Sequence, residues 1–285
     1  MGRVTQRVAS VRYEVTGAVQ PQVVHRPDTL AVEEPMEIRV AGSALSVTMR
    51  TPGDDFDLTL GFLHGEGLIR SADDVARLMH CLDADADGSP TYNVVDVTLG
   101  GGVTIPEDAG RRFLATSACG VCGTSAIEAL QTTSRYAVAS DATLVDPALL
   151  CSLPGRLRSA QKGFDRTGGM HAAGLFTADG DCLVVREDVG RHNAVDKVVG
   201  WALREGRLPL TGHVLVVSSR ASFEIVQKAY AAGIPVLAVV SAASSLAVDL
   251  ATHIGMTLAG FVRPPRLTVY AGGQRVGVPA VAGHG

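Results

Sequence analysis

Val214-Leu215-Val216-Val217-Ser218, Pro235-Val236-Leu237-Ala238-Val239-Val240-Ser241 and Met256-Thr257-Leu258-Ala259-Gly260-Phe261-Val262 are three short, largely apolar runs. Two stretches with helical spacing, Ser222–Ala232 and Ser244–His253, separate them. Strands apolar at every position and alternating with helices predict a parallel sheet covered on both faces. Ligands of such sheets lie at the carboxyl ends of the strands. Those ends carry Ser218-Ser219-Arg220, Ser241 to Ser245, and Arg263-Pro264-Pro265-Arg266. Three polar or basic loops on one rim predict an anion-binding crevice. Ser222 and Ser244 are accounted for as helix caps, but two arginines flanking a rigid Pro-Pro are not. Neither a Walker loop nor a GxGxxG follows any of these strands, so the two commonest phosphate motifs are absent.

Upstream of these runs, Asp146-Pro147 opens a helix with a cap and an N1 proline. Ala173–Phe176 and Leu183–Arg186 flank Asp179-Gly180, a hairpin signal, and Asn193–Arg204 reads as a helix ending before Gly206. Gln131–Val145 is polar and unpatterned, as a linker would be. Before it, Met36–Val40 and Leu45–Met49 predict a hairpin around Gly42. Asp54–His64 predicts a helix stopped at Gly65, and Ser71 predicts the cap of a second amphipathic helix. Asn93–Leu99 alternates like a strand. The expected fold is α/β: a C-terminal three-layer domain with a mainly parallel sheet, preceded by a smaller α+β domain. The expected organisation is an N-terminal arm or edge strand (1–25), the α+β domain (26–130), the linker (131–145) and the α/β domain (146–285).

The chain has 285 residues, 46% hydrophobic and 19% charged, which excludes disorder for most of its length. Its net charge of −4 argues against a general nucleic-acid binder. The apolar runs stop far short of the roughly 18 residues that a membrane span needs. Nothing from Met1 to Leu30 reads as a secretory signal. A soluble cytoplasmic protein is expected, with neither nucleic acid nor membrane as partner. Of five cysteines, Cys81, Cys151 and Cys182 stand alone and are expected as small core residues.

Cys119 and Cys122 form the pair Cys119-Gly120-Val121-Cys122-Gly123, followed by Thr124 or Ser125 as a cap and Glu128 at capping-box spacing. A thiol just before a helix start has its pKa lowered. The flanking glycines leave both sulfurs open, which suits a sulfur that must attack, carry cargo and be attacked in turn. A structural zinc site would need a second such pair. A zinc deaminase would join an H-x-E to P-C-x-x-C. His64-Gly65-Glu66 supplies the first element, but Ala118 replaces the proline and 52 residues separate the two. That hydrolase, using His64, Glu66, Cys119 and Cys122, is the alternative reading.

Longer blocks point elsewhere. The cysteine pair, Arg166-Thr167-Gly168-Gly169-Met170-His171, Glu187 to Lys197, Ser218 to Lys228, Ala238 to Val248 and Gly260 to Arg266 together resemble the FdhD family. Arg26–Ile69, with Pro52-Gly53-Asp54-Asp55 and Leu60 to Ile69, fits the same pattern. The resemblance covers about residues 26–271. It implies a sulfurtransferase that takes sulfur from a cysteine desulfurase as a persulfide on Cys119. The sulfur then passes to the metal of the bis-molybdopterin guanine dinucleotide cofactor, which is cargo here, for formate dehydrogenase. It also implies a cytidine deaminase-like larger domain without the catalytic zinc, a homodimer, and cofactor binding by Phe261, Val262, Arg263, Pro264, Pro265 and Arg266. Where relatives often have Pro-Gly, Pro264-Pro265 stands here, a stiffer loop. Cys122 either relays sulfur or tunes Cys119. His171, Arg191, His192, Asp196 and Lys197 either line the route to the metal or form a solvated face with ion pairs.

Overall fold

The computed structural model describes residues 3–15, 21–81, 91–104 and 135–278. Strands β1 (Thr5–Glu14) and β2 (Gln22–Ala31) pair antiparallel as a ribbon of their own. The ribbon reaches past residue 25 and is no edge of a larger sheet. Next, β3 (Glu34–Val40) and β4 (Ser43–Arg50) form the expected hairpin. Its turn residues Ala41 and Gly42 have φ of 50° and 79°, the left-handed pair whose twist matches the strands. Helix α1 (Asp55–Gly65) follows as predicted, and β5 (Val75–Cys81) and β6 (Val94–Leu99) complete a sheet in the order β4-β3-β6-β5.

The helix expected after Ser71 does not form. Ser71 and Asp74 make a reciprocal capping box, but the turn that they start ends at Asp74. Val75–Cys81 pair with β6 instead. The backbone groups on that edge of β6 need partners, and this demand overrides a local helix signal.

The rest of the chain runs α2 (Pro147–Ala160), α3 (Lys162–Thr167), β7 (His171–Thr177), β8 (Cys182–Asp188), α4 (Arg191–Arg204), β9 (His213–Val217), α5 (Phe223–Ala231), β10 (Val236–Val239), α6 (Ser245–His253), β11 (Thr257–Arg263) and β12 (Arg266–Ala271). The Asp146 carboxylate accepts from the amides of Ala148 and Leu149 and starts α2 with Pro147 at its first position. The sheet order is β12-β11-β10-β9-β7-β8. Strands β9, β10 and β11 are parallel, as their apolar runs predict. Antiparallel partners on both flanks make the sheet mixed around that parallel centre.

Alternate residues of one strand feed opposite layers. Val214, Val216, Val236 and Ala238 pack under α2 through Leu150, Leu153 and Leu157. Leu215, Val217, Leu237 and Val239 pack under α4, α5 and α6. Three layers result.

The two sheets meet along a seam between α1 and α4. A Cβ on Gly61 would lie 1.9 Å from the Asp196 carbonyl oxygen, and one on Gly200 would lie 1.8 Å from that of Asp57. The helices therefore touch backbone to backbone, which only glycine permits. Leu203 of α4 belongs to the core of the first sheet, so the expected division between the two domains is a shared surface. Residues 135–145, expected as linker, are fastened to the α/β unit. Val138 is buried in its core, and buried Arg275 donates to the carbonyls of Val138, Ala139 and Asp141. Cys151 is buried and Cys81 half-buried, whereas Cys182, expected inside, is exposed.

Candidate functional site

All the carboxyl ends of the parallel strands open on one cleft of about 680 Å3, within the roughly 300–1,000 Å3 usual for small-molecule sites. Ser218 follows β9, Val240 follows β10, and Val262, Arg263 and Pro264 come from the end of β11. Because β7 runs antiparallel to β9, its first residue, His171, lies at the same rim. α2 and α3 supply the facing wall, including Leu157, Arg158 and Phe164. A cleft thus lies at the rim where a crevice was expected; of the residues named for its three loops, Ser218, Arg263 and Pro264 line it, and the helical wall is an addition.

Arg263 and Arg266 face each other across the turn that joins β11 to β12, with a cis peptide between Pro264 and Pro265. Both are exposed, and neither forms an ion pair among the described residues. An unpaired guanidinium offers its planar fork to phosphate or carboxylate. Before them, Phe261 sits at φ 51°, a conformation rare for a bulky side chain, and is 41% exposed. A register shift in the pairing with β12 and its amide bond to the Ser241 carbonyl hold it there. A strained, exposed aromatic beside a ligand cleft is the kind of outlier that functional sites retain. Of the six residues predicted to bind cofactor, Val262, Arg263 and Pro264 line the cleft; Phe261, Pro265 and Arg266 sit on the adjoining turn outside its lining.

The Ser218 hydroxyl accepts from the Ala172 amide, which leaves its own proton for a ligand. Burial, then the charges of Arg191 and His192, hold the His171 pKa below the ordinary histidine value. It therefore presents a neutral ring at pH 7. Helices α4, α5 and α6 all begin at this end of the sheet, behind β8, β9 and β10. Ser244 caps α6 through the Ala247 amide. Ser222 makes no such bond; its hydroxyl lies 3.1 Å from His192 Nε2. Helix starts pointing at one rim favour an anion there.

The other charged candidates separate. His192 Nε2 lies 2.9 Å from Glu224. Lys197 is 2.8 Å from Asp188, both buried, and also donates to the Thr51 carbonyl at 3.0 Å. Asp188 further accepts from the amides of Thr51 and Gly190. Buried Asp196 pairs with Lys228 at 2.8 Å. Burial opposes the Lys228 charge, but Asp196 and Glu66 outweigh it and raise its pKa. Asp196 and Lys197 are thus structural ion pairs, and His171 alone of this set lines the cleft.

His64 and Glu66 of the deaminase reading close α1, away from the cleft lining. His64 Nε2 donates to the Ala231 carbonyl at 3.0 Å, so that nitrogen carries a proton and ligates nothing. Burial lowers the His64 pKa and raises that of Glu66. Among the described residues no cluster of three or more His, Cys, Asp or Glu could hold a metal. Cys119 and Cys122, with the helix expected after them, lie outside the described residues. Sequence reasoning missed the wall: Gly168, Gly169 and Met170 line the cleft, and the glycine pair was the signal. Gly168 ends α3 at φ 66° and turns the chain into β7.

A model of the FdhD/NarQ family matches residues 31–277. A protein of Streptomyces avermitilis named sulfur carrier protein FdhD is 54% identical over 287 residues, covering 100% of both chains. Proteins of the same name from Mycobacterium tuberculosis and Anaeromyxobacter sp. are 53% and 50% identical. They cover 90% and 92% of this chain and 94% and 95% of their own. A crystal structure from Desulfotalea psychrophila superposes with a TM-score of 0.73, covering 96% of this chain and 100% of that one at 24% identity, which speaks to the fold. No helix among the described residues is long and apolar enough to cross a membrane. With the family pattern matched along most of its length, the chain belongs to the FdhD/NarQ family.

Proposed function

We propose that the chain is a sulfur carrier serving formate dehydrogenase in the cytoplasm. The observation that carries this reading is full-length similarity, 54% identity without truncation of either chain, to proteins named as sulfur carriers. Cys119 is the carrier. Its thiolate attacks the outer sulfur of a cysteine desulfurase persulfide. A new S–S bond forms at Cys119 as the old one breaks, and the desulfurase cysteine leaves as thiolate. The glycines around Cys119 and the helix start expected after it favour that thiolate. Cys122, three residues on, relays the sulfur or tunes its neighbour.

The acceptor is the metal of bis-molybdopterin guanine dinucleotide, bound as substrate. The cleft offers what one guanine dinucleotide half requires. Arg263 attracts its phosphates, and Leu157, Met170, Val240 and Val262 give apolar walls. The Ser218 hydroxyl and neutral His171 supply hydrogen bonds. Phe261 and Arg266 stand beside the opening, and Pro264-Pro265 stiffens the turn that carries them. The working unit is a homodimer.

Intact mass after incubation with a desulfurase and cysteine tests the carrier step. One added sulfur, about 32 Da, is expected on the wild type. It should vanish in Cys119→Ala and persist in Cys122→Ala. Full loading and full activation of formate dehydrogenase by Cys119→Ala would reassign the carrier.

A further inference from the structure

None of the residues of β1 and β2 is buried, and the ribbon meets the body chiefly where β2 packs on α3. The register sets Tyr13 opposite Val23 and Val11 opposite His25, so Val11, Tyr13 and Val23 share one face. They are 46%, 63% and 48% exposed. Beside them, Arg7 to Val11 and His25 to Pro27 line an open groove of about 690 Å3. A lone two-stranded ribbon is marginal in water, and bare apolar side chains on one face call for a cover.

Charge and area narrow what covers it. Residues 1–31 hold four arginines against two acids, leaving 21 basic and 27 acidic side chains in the rest of the chain. Two arms laid on each other through this face would bring together Arg7 of both copies. An arm laid on the acidic body of another copy is attracted to it. Ten residues at about 3.4 Å span about 34 Å, and two strand spacings give a width of about 10 Å, so one face offers roughly 340 Å2. One arm on one body buries about twice that, counting both partners, which is below what a stable interface needs. Reciprocal exchange of two arms doubles it again to roughly 1,300 Å2, inside the stable range. A two-fold pair supplies that exchange without a second kind of surface.

We propose that the β1–β2 ribbon is a dimerisation arm, laid reciprocally on the body of a second copy of this chain with Val11, Tyr13 and Val23 facing inward. The arm supplies an interface for the homodimer proposed above and does not depend on the sulfur-carrier role.

Sedimentation of the full chain and of Tyr13→Glu/Val23→Glu tests it, with circular dichroism as the check on folding, since both side chains are exposed. The wild type should sediment at twice 29.6 kDa. The double variant should dissociate with a constant raised at least tenfold, as for loss of a central tyrosine contact. A photoreactive benzoylphenylalanine at position 13 should crosslink to residues 32–278 of the other copy. A monomeric wild type, a variant dimer of unchanged strength, or crosslinks confined to residues 1–31 would overturn the arm. A wild type that dimerises through the arm but takes up no sulfur from a desulfurase would count against the sulfur-carrier reading and leave the arm standing.

Discussion

In the seam between α1 and α4, Lys197 holds the Asp188 carboxylate and the Thr51 carbonyl, and Arg186 and Arg204 share the Asp57 carboxylate. At the cleft, Arg263 and Arg266 face each other across a turn with no ion-pair partner among the described residues. Both regions are rich in charge. In the seam Asp57, Asp188 and Lys197 are buried, every one of these charges has a partner, and they sit beside a backbone contact at Gly61 and Gly200. At the cleft they are exposed and held near a strained Phe261. Charge in the first region fixes how two sheets meet; in the second it is left for something that arrives from outside. Substitutions should therefore affect stability in the seam and ligand binding at the cleft.

The largest effect on stability should come from Lys197→Met. It leaves the Asp188 charge buried beside the amides of Thr51 and Gly190. Removing one partner of a buried pair costs about 3–5 kcal/mol. Urea unfolding at pH 7 would read it, and a loss below about 1 kcal/mol would show that solvent reaches the pair. Next comes Gly200→Ala, whose new methyl group collides with the Asp57 carbonyl. Overpacking of this kind costs about 1–3 kcal/mol and more when backbone must move. An unchanged unfolding midpoint would mean that the two helices slide apart freely. The smallest effect belongs to the cleft. Arg263→Ala and Arg266→Ala should each stay within about 0.5 kcal/mol of the wild type, as exposed substitutions do. A large loss there would erase the contrast, because these arginines would then be structural as well.

Sequence made the parallel centre legible because β9, β10 and β11 are apolar on both faces, a pattern that only a covered sheet produces. The rim loops followed from it by topology, and Val262, Arg263 and Pro264 came with them. The α2–α3 wall did not, because the packing of one layer over the ends of another leaves no periodic trace in either. Local signals failed where a distant partner decided the outcome, as when β6 drew Val75–Cys81 out of a helix that Ser71 and Asp74 had begun. The polar look of residues 131–145 hid buried Val138, whose hold depends on Arg275 far along the chain. For Asp196 and Lys197 the sequence left open a route to the metal or a solvated face with ion pairs; they form ion pairs that are buried, and burial is invisible in composition. The persulfide role proposed for Cys119 comes from its motif and from the family resemblance, and the pair lies outside the described residues.

Titration of the metal-free protein with GDP, which copies half of a guanine dinucleotide, tests the cleft most directly. Calorimetry should show wild-type binding, weakened about ten- to a hundredfold by Arg263→Ala, as expected for loss of a hydrogen bond to a charged group. Persulfide loading of Cys119 should be the same in both proteins. No GDP binding by the wild type, or equal binding by Arg263→Ala, would contradict a nucleotide cleft at the ends of the parallel strands.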